Sequence, residues 1–207
     1  FLRILMKHHP VAVVIVSALT QEGSAKAFEA MEAGAMEVIG KPANNSGMPE
    51  FEQELLHKVK SAAFARPRQG SSSAAAATSP PLHRRRHVTE AIVLGASTGG
   101  VEALKEVLTR LPDGLPPICI VQHIPAYISS RFASRLNDMC AMEVREAQTG
   151  DTLQTGLALV APGGYHMVVR RTLGRFEVEL LETERVHHQR PAVDVLFDSV
   201  AGCIGGR

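Results

Sequence analysis

In the first 65 positions, the spacing of hydrophobic residues alternates between that of a helix and that of a strand. Apolar residues recur every three to four positions where a helix is predicted, and they form short β-branched runs where a strand is predicted. Pro10 ends the first helix and Gly34 closes the second, as these residue types commonly do. In chain order, the pattern predicts a helix from residue 1 that ends at Pro10, followed by strand, helix, strand and helix over residues 11–16, 21–33, 36–39 and 50–65. Strands that alternate with helices indicate a parallel sheet.

A stretch of different composition separates this part from the rest of the chain. Residues 66–87 are rich in Ser, Ala, Pro and Gly, so they predict a flexible linker, and we interpret the basic cluster at its end as solvated. The hydrophobic pattern then resumes, with helices at residues 99–111, 128–139 and 193–204 and strands at residues 91–95, 117–121, 142–145, 157–160, 166–170 and 176–181. The predicted fold class is therefore α/β, with domains at residues 1–65 and 88–207.

Composition narrows the classes of protein that fit. The 207 residues are 45% hydrophobic and 21% charged, which is typical of a globular protein. Lys and Arg number 22 against 21 Asp and Glu, a net charge of +1, so nothing indicates a nucleic-acid partner. The longest apolar run is far shorter than the ~18 residues of a membrane span, and no membrane insertion is expected. Three scattered cysteines, Cys119, Cys140 and Cys203, indicate reduced thiols and a cytoplasmic protein.

The first candidate site is the turn from Gly95 to Gly100, where a predicted strand leads into a helix. Free backbone N–H groups converge at such a helix start. Ser97 or Thr98 could cap the helix, the N–H groups could bind a phosphate, or Ser97 could be a nucleophile whose oxyanion the Thr98 N–H stabilises. The spacing of the residues leaves all three roles open.

His123 is the second candidate, because it follows the next predicted strand. The carboxyl ends of neighbouring parallel strands share one crevice. If these two strands are neighbours, Ser97 and His123 lie on the same rim, and the imidazole can act as general base for the serine hydroxyl. A histidine at the end of a strand can also be purely structural, and that alternative stays open here.

Four motifs then occur in one order. They are Gly-Ala-Ser-Thr-Gly-Gly at residues 95–100, Gln-His-Ile-Pro at 122–125, Ala-Pro-Gly-Gly at 161–164 followed by His166 and Met167, and Arg-Pro-Ala-Val-Asp-Val-Leu-Phe at 190–197. Together they resemble the catalytic domain of the CheB-type chemotaxis response regulators, the protein-glutamate methylesterases. Residues 13–18 and 34–42 resemble the second half of the flavodoxin-like receiver domain of the same family.

The resemblance implies a chemistry and partners. Ser97 would attack the methyl ester of a glutamyl side chain on a methyl-accepting chemoreceptor, with His123 as the base, and the same site could deamidate glutamine. No metal and no organic cofactor is implied. In receiver domains, residues at the positions of Ser17 and Lys41 flank an aspartyl phosphate, which implies a histidine kinase of the chemotaxis pathway as a partner of the full-length protein.

The chain also departs from the family pattern. The family's triad aspartate lies in a Gly-Met-Gly-x-Asp-Gly segment, and its phosphoacceptor aspartate precedes the first helix seen here; residues 1–207 contain neither feature. We therefore expect both domains to be partial and this chain to be nearly inactive, because an unoriented histidine costs a triad enzyme up to ~10⁴ in turnover. We interpret Asp194 as a capping or substrate-side carboxylate, and we expect Tyr165 and His166 to line the cleft.

Two other classes of function remain as alternatives. The first is a nucleotide-binding α/β module that uses the turn from Gly95 to Gly100 as a phosphate loop, although the acidic residue expected ~20 residues further on is missing. The second is a regulatory binding protein without catalysis. The adjacent His187 and His188 are interpreted as part of a solvated loop rather than as metal ligands, since adjacent histidines rarely face one ion.

Overall fold

The computed structural model describes residues 1–18, 21–42, 44, 47–64 and 90–205. The predicted linker at residues 66–87, with its basic cluster, lies outside the described residues. Within the described ranges, no helix combines the length and the apolar character needed to cross a membrane.

The described part of residues 1–64 alternates helices and strands in the predicted order. Its elements are α1 Leu2–His8, β1 Val14–Ala18, α2 Gln21–Glu32, β2 Glu37–Lys41 and α3 Met48–Phe64. β1 and β2 pair in parallel, with Ser17 opposite Gly40. β1 begins three residues later than predicted, because Val11 stays exposed and the chain enters the sheet only at Val14.

Residues 90–205 form the larger α/β unit. Its elements are β3 Ile92–Ala96, α4 Gly100–Leu108, β4 Ile118–Gln122, α5 Ala126–Asn137, β5 Glu143–Glu146, β6 Leu157–Val160, β7 His166–Thr172, β8 Arg175–Leu181 and α6 Val193–Ile204. A parallel sheet has the strand order β3-β4-β6-β5, while β7 and β8 form a separate antiparallel hairpin. The α/β class with a parallel sheet is confirmed, and the hairpin is an antiparallel addition to it.

The parallel sheet separates the interior into two apolar cores, and the residues of β4 contribute to both. Alternate residues of a strand face opposite sides of a sheet, and accordingly Ile118 and Ile120 belong to one apolar cluster while Cys119 and Val121 belong to the other. The first core contains the inner faces of α4 and α5, and the second contains α6 and the β7–β8 hairpin. All of β4 is buried, so a polar residue in it must find its partners inside the protein.

The first core continues into residues 1–64. Ala27 and Met31 of α2 pack in the same cluster as Phe132 of α5. An ion pair between Arg135 Nε and Glu32 Oε1, at 2.8 Å, joins the same two helices at the surface. α2 is therefore held against α5, the helix that begins directly after the candidate base His123.

Candidate active site

Ser97 and His123 meet at the carboxyl edge of the parallel sheet. β3 and β4 are hydrogen-bonded neighbours with Ala96 opposite Gln122, so both candidate residues follow at the same end of the sheet. His123 Nδ1 lies 3.2 Å from Ser97 Oγ. This distance lets the hydroxyl donate to the ring, which is the arrangement that a base needs to take the proton of a serine nucleophile.

The turn that carries Ser97 is built from glycine. Gly99 has φ +74°, in the left-handed region that favours glycine, and it occupies the N-cap position of α4 without a side-chain hydrogen bond. The Gly100 N–H donates instead to the Ser97 carbonyl at 2.7 Å. The capping role considered for Ser97 or Thr98 is therefore wrong. The Thr98 N–H has no hydrogen-bond partner among the described residues, so it is free to meet an oxygen of a substrate.

The two ring nitrogens of His123 have different surroundings. When the Ser97 hydroxyl donates to Nδ1, as a serine nucleophile requires, the proton of the neutral ring lies on Nε2. Nε2 is buried, and no described residue hydrogen-bonds it. The backbone N–H of His123 donates to Ala96 O at 3.1 Å, which anchors this residue to the end of β3. The ring is thus held on the serine side and lacks a partner on the other.

The electrostatic surroundings keep His123 neutral. Burial, which disfavours the charged imidazolium, is the largest effect that lowers the pKa of His123 below its ordinary value of 6.5. The positive charges of Lys58 and His57, on α3, lower this pKa further, while Asp194 raises it. At neutral pH the imidazole is therefore uncharged, and in the tautomer with its proton on Nε2 it can accept the serine proton at Nδ1.

Gln122 is a functional candidate that the sequence analysis did not single out. Its side chain is buried, and Nε2 donates to the Ser97 carbonyl at 3.0 Å. An amide directly before a strand-end histidine, in a strand that is otherwise apolar, is the sequence signal that points to it.

Ser129 is a second residue that the sequence analysis missed. It is fully buried on α5, its Oγ lies 2.5 Å from Glu146 Oε1, and it accepts a hydrogen bond from the Gly163 N–H at 3.2 Å. Gly163 lies so close to the start of α5 that a β-carbon there would fall 2.3 Å from Ala126 N. The turn after β6 is thereby clamped against the helix start that follows His123.

Two residues that the sequence analysis discussed, Asp194 and His166, differ from expectation. Asp194 does not cap α6, since the N-cap residue is Ala192; its carboxylate lies 3.5 Å from His187 Nε2 in an exposed pair. His166 does not line the cleft, because it is fully buried with hydrogen bonds to Glu184 O and from the Ala192 N–H. Tyr165 is partly exposed.

No group of three potential metal ligands occurs among the described residues, and His187 lies in an exposed turn.

Ser17 and Lys41 lie in the other sheet, which β1 and β2 form. They occur at the carboxyl ends of β1 and β2, where Ser17 pairs with Gly40 and Ala18 pairs with Lys41. The two side chains thus come from adjacent strand ends at one edge of that sheet, and their chemical role remains a prediction.

Comparison with known proteins identifies the family. The family model for CheB methylesterase matches residues 92–207, more than half of the chain. The chain belongs to the CheB methylesterase family. In the crystal structure of the Thermotoga maritima CheB methylesterase catalytic domain, 60% of that chain superposes on 55% of this one with a TM-score of 0.53 and 32% sequence identity.

Curated relatives match over almost the whole of this chain. A protein-glutamate methylesterase/protein-glutamine glutaminase of Syntrophus aciditrophicus is 42% identical over 208 residues, covering 99% of this chain and 61% of the relative. One of Chromobacterium violaceum is 40% identical over 229 residues, covering 100% of this chain and 63% of the relative. This chain therefore spans somewhat under two thirds of the length of these relatives. The comparisons give no support to the nucleotide-binding alternative.

Proposed function

We propose that this chain carries the ester-hydrolysing site of a chemotaxis response regulator. Its substrates are glutamyl methyl esters on methyl-accepting chemoreceptors, and the same site deamidates glutamine side chains. The names of the relatives support this class of reaction. The observation that carries the proposal is the 3.2 Å contact between Ser97 Oγ and His123 Nδ1, next to the unpartnered Thr98 N–H.

The reaction then follows from these three groups. Ser97 Oγ attacks the ester carbonyl while its proton passes to His123 Nδ1, and the Thr98 N–H donates to the oxyanion that develops. Collapse breaks the bond from carbon to methoxy oxygen, and the imidazolium returns the proton to give methanol. Water attacks the acyl-enzyme with His123 again as base, releasing glutamate and restoring the Ser97 hydroxyl. With glutamine, ammonia leaves in place of methanol.

The free side of His123 supports the need for a third group. A triad acid accepts the hydrogen bond from the ring nitrogen that does not face the serine, and it fixes the tautomer and the ring orientation. Here that nitrogen is Nε2, which is buried and unpartnered among the described residues. Asp194 belongs to the exposed pair with His187 and makes no hydrogen bond to this ring. A carboxylate facing Nε2 would complete the Ser-His-Asp arrangement, and without it we expect turnover up to ~10⁴-fold lower.

We further propose that residues 1–65 are part of a receiver domain that regulates the esterase, with residues 66–87 as linker and residues 88–207 as part of the catalytic domain. A hydroxyl and an ammonium at adjacent strand ends, as for Ser17 and Lys41, can both reach the phosphate of an aspartyl phosphate. The partner of the full-length protein is then the histidine kinase of the chemotaxis pathway. A cytoplasmic location belongs to the same proposal.

Covalent labelling tests the ester chemistry. The purified chain is treated with a serine-directed fluorophosphonate, and mass spectrometry locates the modified residue. We expect modification of Ser97, its loss in Ser97→Ala, and its retention in Ser17→Ala, whose hydroxyl lies in the other sheet. No modification of Ser97 even after prolonged exposure, which allows for the slow reaction expected of this chain, or saturable dinucleotide binding that depends on the turn from Gly95 to Gly100, would refute the esterase.

Methanol release from a methylated chemoreceptor tests the triad. We expect this chain to release methanol far more slowly than a full-length relative of known activity, because Nε2 of His123 has no acidic partner among the described residues. Equal rates would show that the ring needs no such partner.

A further inference from the structure

The side chain of Gln122 is tied to the backbone of the candidate nucleophile. It is 1% exposed, and its Nε2 donates to the Ser97 carbonyl oxygen at 3.0 Å. The same oxygen accepts the Gly100 N–H at 2.7 Å. Two donors from different elements, β4 and the first turn of α4, therefore hold one carbonyl group.

Holding this carbonyl also directs the Thr98 N–H. The Ser97 C=O and the Thr98 N–H belong to the same planar, trans peptide unit, in which the two bonds point in opposite directions. When the carbonyl is fixed toward Gln122 and Gly100, the N–H is fixed toward the other side of the turn, where it has no partner among the described residues. Rotation of this plane would turn the N–H away from a developing oxyanion.

The position of Gln122 is itself tightly determined. Gly100 lies against the amide so closely that a β-carbon there would fall 2.0 Å from Gln122 Oε1. Oε1 is buried and has no hydrogen-bond partner in the described part of the chain. The reverse orientation of the amide would bring Oε1 against the Ser97 carbonyl oxygen, two acceptors facing each other. The donor Nε2 thus faces Ser97, at the cost of an unsatisfied oxygen.

We propose that Gln122 is a positioning residue, which holds the Ser97–Thr98 peptide plane so that the Thr98 N–H stays directed at the oxyanion. The inference rests on the proposed esterase function. A buried amide whose oxygen finds no partner costs stability, and a functional role of its other end explains why such a residue is kept. Since catalysis by oxyanion donors depends on their being oriented before the reaction, the hydrogen bond to Ser97 supplies that use.

The test separates binding from reaction. Fluorophosphonate labelling of Ser97 is measured over a range of reagent concentrations, which yields the maximal inactivation rate (kinact) and the half-saturating concentration (KI). In Gln122→Leu, which keeps the volume and removes the donor, we expect kinact to fall about 10- to 100-fold with KI nearly unchanged. The unfolding midpoint should stay near that of the wild type, because the unsatisfied oxygen is removed as well.

A matched control removes a side-chain hydrogen bond elsewhere. Ser199 Oγ accepts the Val169 N–H at 3.0 Å in the second core, so Ser199→Ala should change stability without changing kinact. A kinact of Gln122→Leu within about twofold of the wild type would overturn this inference alone. Failure of the wild-type chain to be labelled at Ser97 would overturn the esterase proposal together with it.

Gln122→Glu decides the question if the leucine variant does not fold. A protonated carboxyl can donate to the Ser97 carbonyl, whereas the ionised form repels it. The ratio of its kinact to that of the wild type should therefore fall as pH rises through the ionisation of the introduced carboxyl. A ratio that stays near one at pH values where the introduced carboxyl is ionised would mean that the donor at this position does not matter, and the inference would be wrong.

Discussion

Replacing Gly95 by alanine should push the start of α6 away from the strand that leads to Ser97. The new β-carbon would lie 2.4 Å from Val193 Cγ1 and 2.8 Å from Val193 Cγ2. Carbon atoms in ordinary contact are about 3.5–4.0 Å apart, so the two groups must separate by about 1 Å or more. Rotation of Val193 gives little relief, because both of its methyl groups are already close and a valine in a helix has one strongly preferred rotamer.

The expected loss of stability follows from two opposing effects. Overpacking of this kind costs about 1–3 kcal/mol. Alanine also restricts the unfolded chain relative to glycine, which stabilises the folded state by about 0.4–1 kcal/mol where the backbone conformation is allowed. Gly95 has no positive φ, so this gain applies. The net prediction is a decrease of about 1–2 kcal/mol in the free energy of unfolding.

Urea unfolding followed by far-ultraviolet circular dichroism measures this change, since the chain has no Trp. Val193→Ala removes the two methyl groups that clash, so the double variant should lose about 1–2 kcal/mol less than the sum of the single losses. Gly202→Ala, in α6 with no atom near the added carbon, is the control and should stabilise by about 0.5–1 kcal/mol. A Gly95→Ala protein within about 0.5 kcal/mol of the wild type, or strictly additive losses, would refute the packing argument.

Three further predictions concern His123 and its surroundings. Because the pKa of His123 lies below 6.5, Ser97 labelling should rise with pH to a midpoint below 6.5, and a midpoint at or above that value would contradict the assignment. By linkage, the unfolded state takes up this proton more readily than the folded state, so the contribution of His123 to stability is full above pH 6.5 and is lost as pH falls from 6.5 through the lower pKa of the folded state. In Gly163→Ala, the new β-carbon would lie 2.3 Å from the backbone nitrogen of Ala126. This substitution should lower the free energy of unfolding by about 3 kcal/mol in the same urea assay. A loss as small as that of a surface substitution would mean that the turn moves freely.

The local pattern of hydrophobic residues was sufficient to predict the helices and strands. The bounds predicted for β6 and α6 agree with the structure, and every other described element overlaps its prediction. The pairing of β3 with β4 could also be anticipated, because strands joined by a single helix commonly lie side by side in a parallel sheet. The contact between Ser97 and His123 follows from that pairing together with the position of each residue at a strand end.

Contacts between distant residues could not be anticipated in this way. In the sequence, Ser129 is an ordinary helix residue. Only the structure shows that it accepts a hydrogen bond from the N–H of Gly163, 34 positions further on. His166 belongs to a motif of the family, and yet its ring is buried and bonded to backbone. The interpretation of Asp194 as a cap failed because Ala192 is the N-cap residue of α6, and the Asp194 carboxylate instead lies near His187 in a turn.

The spacing of hydrophobic residues, the positions of glycine and the ends of strands can all be recognised in short segments. The amino-acid order alone therefore determined that this chain is α/β and that Ser97 and His123 lie at strand ends. Burial and the direction of each hydrogen bond depend on which segments meet. Only the folded chain could therefore decide that His123 Nε2 faces no partner among the described residues and that Gln122 holds the carbonyl of Ser97. The lowered pKa of His123 has the same origin, since burial and charges on α3 produce it together.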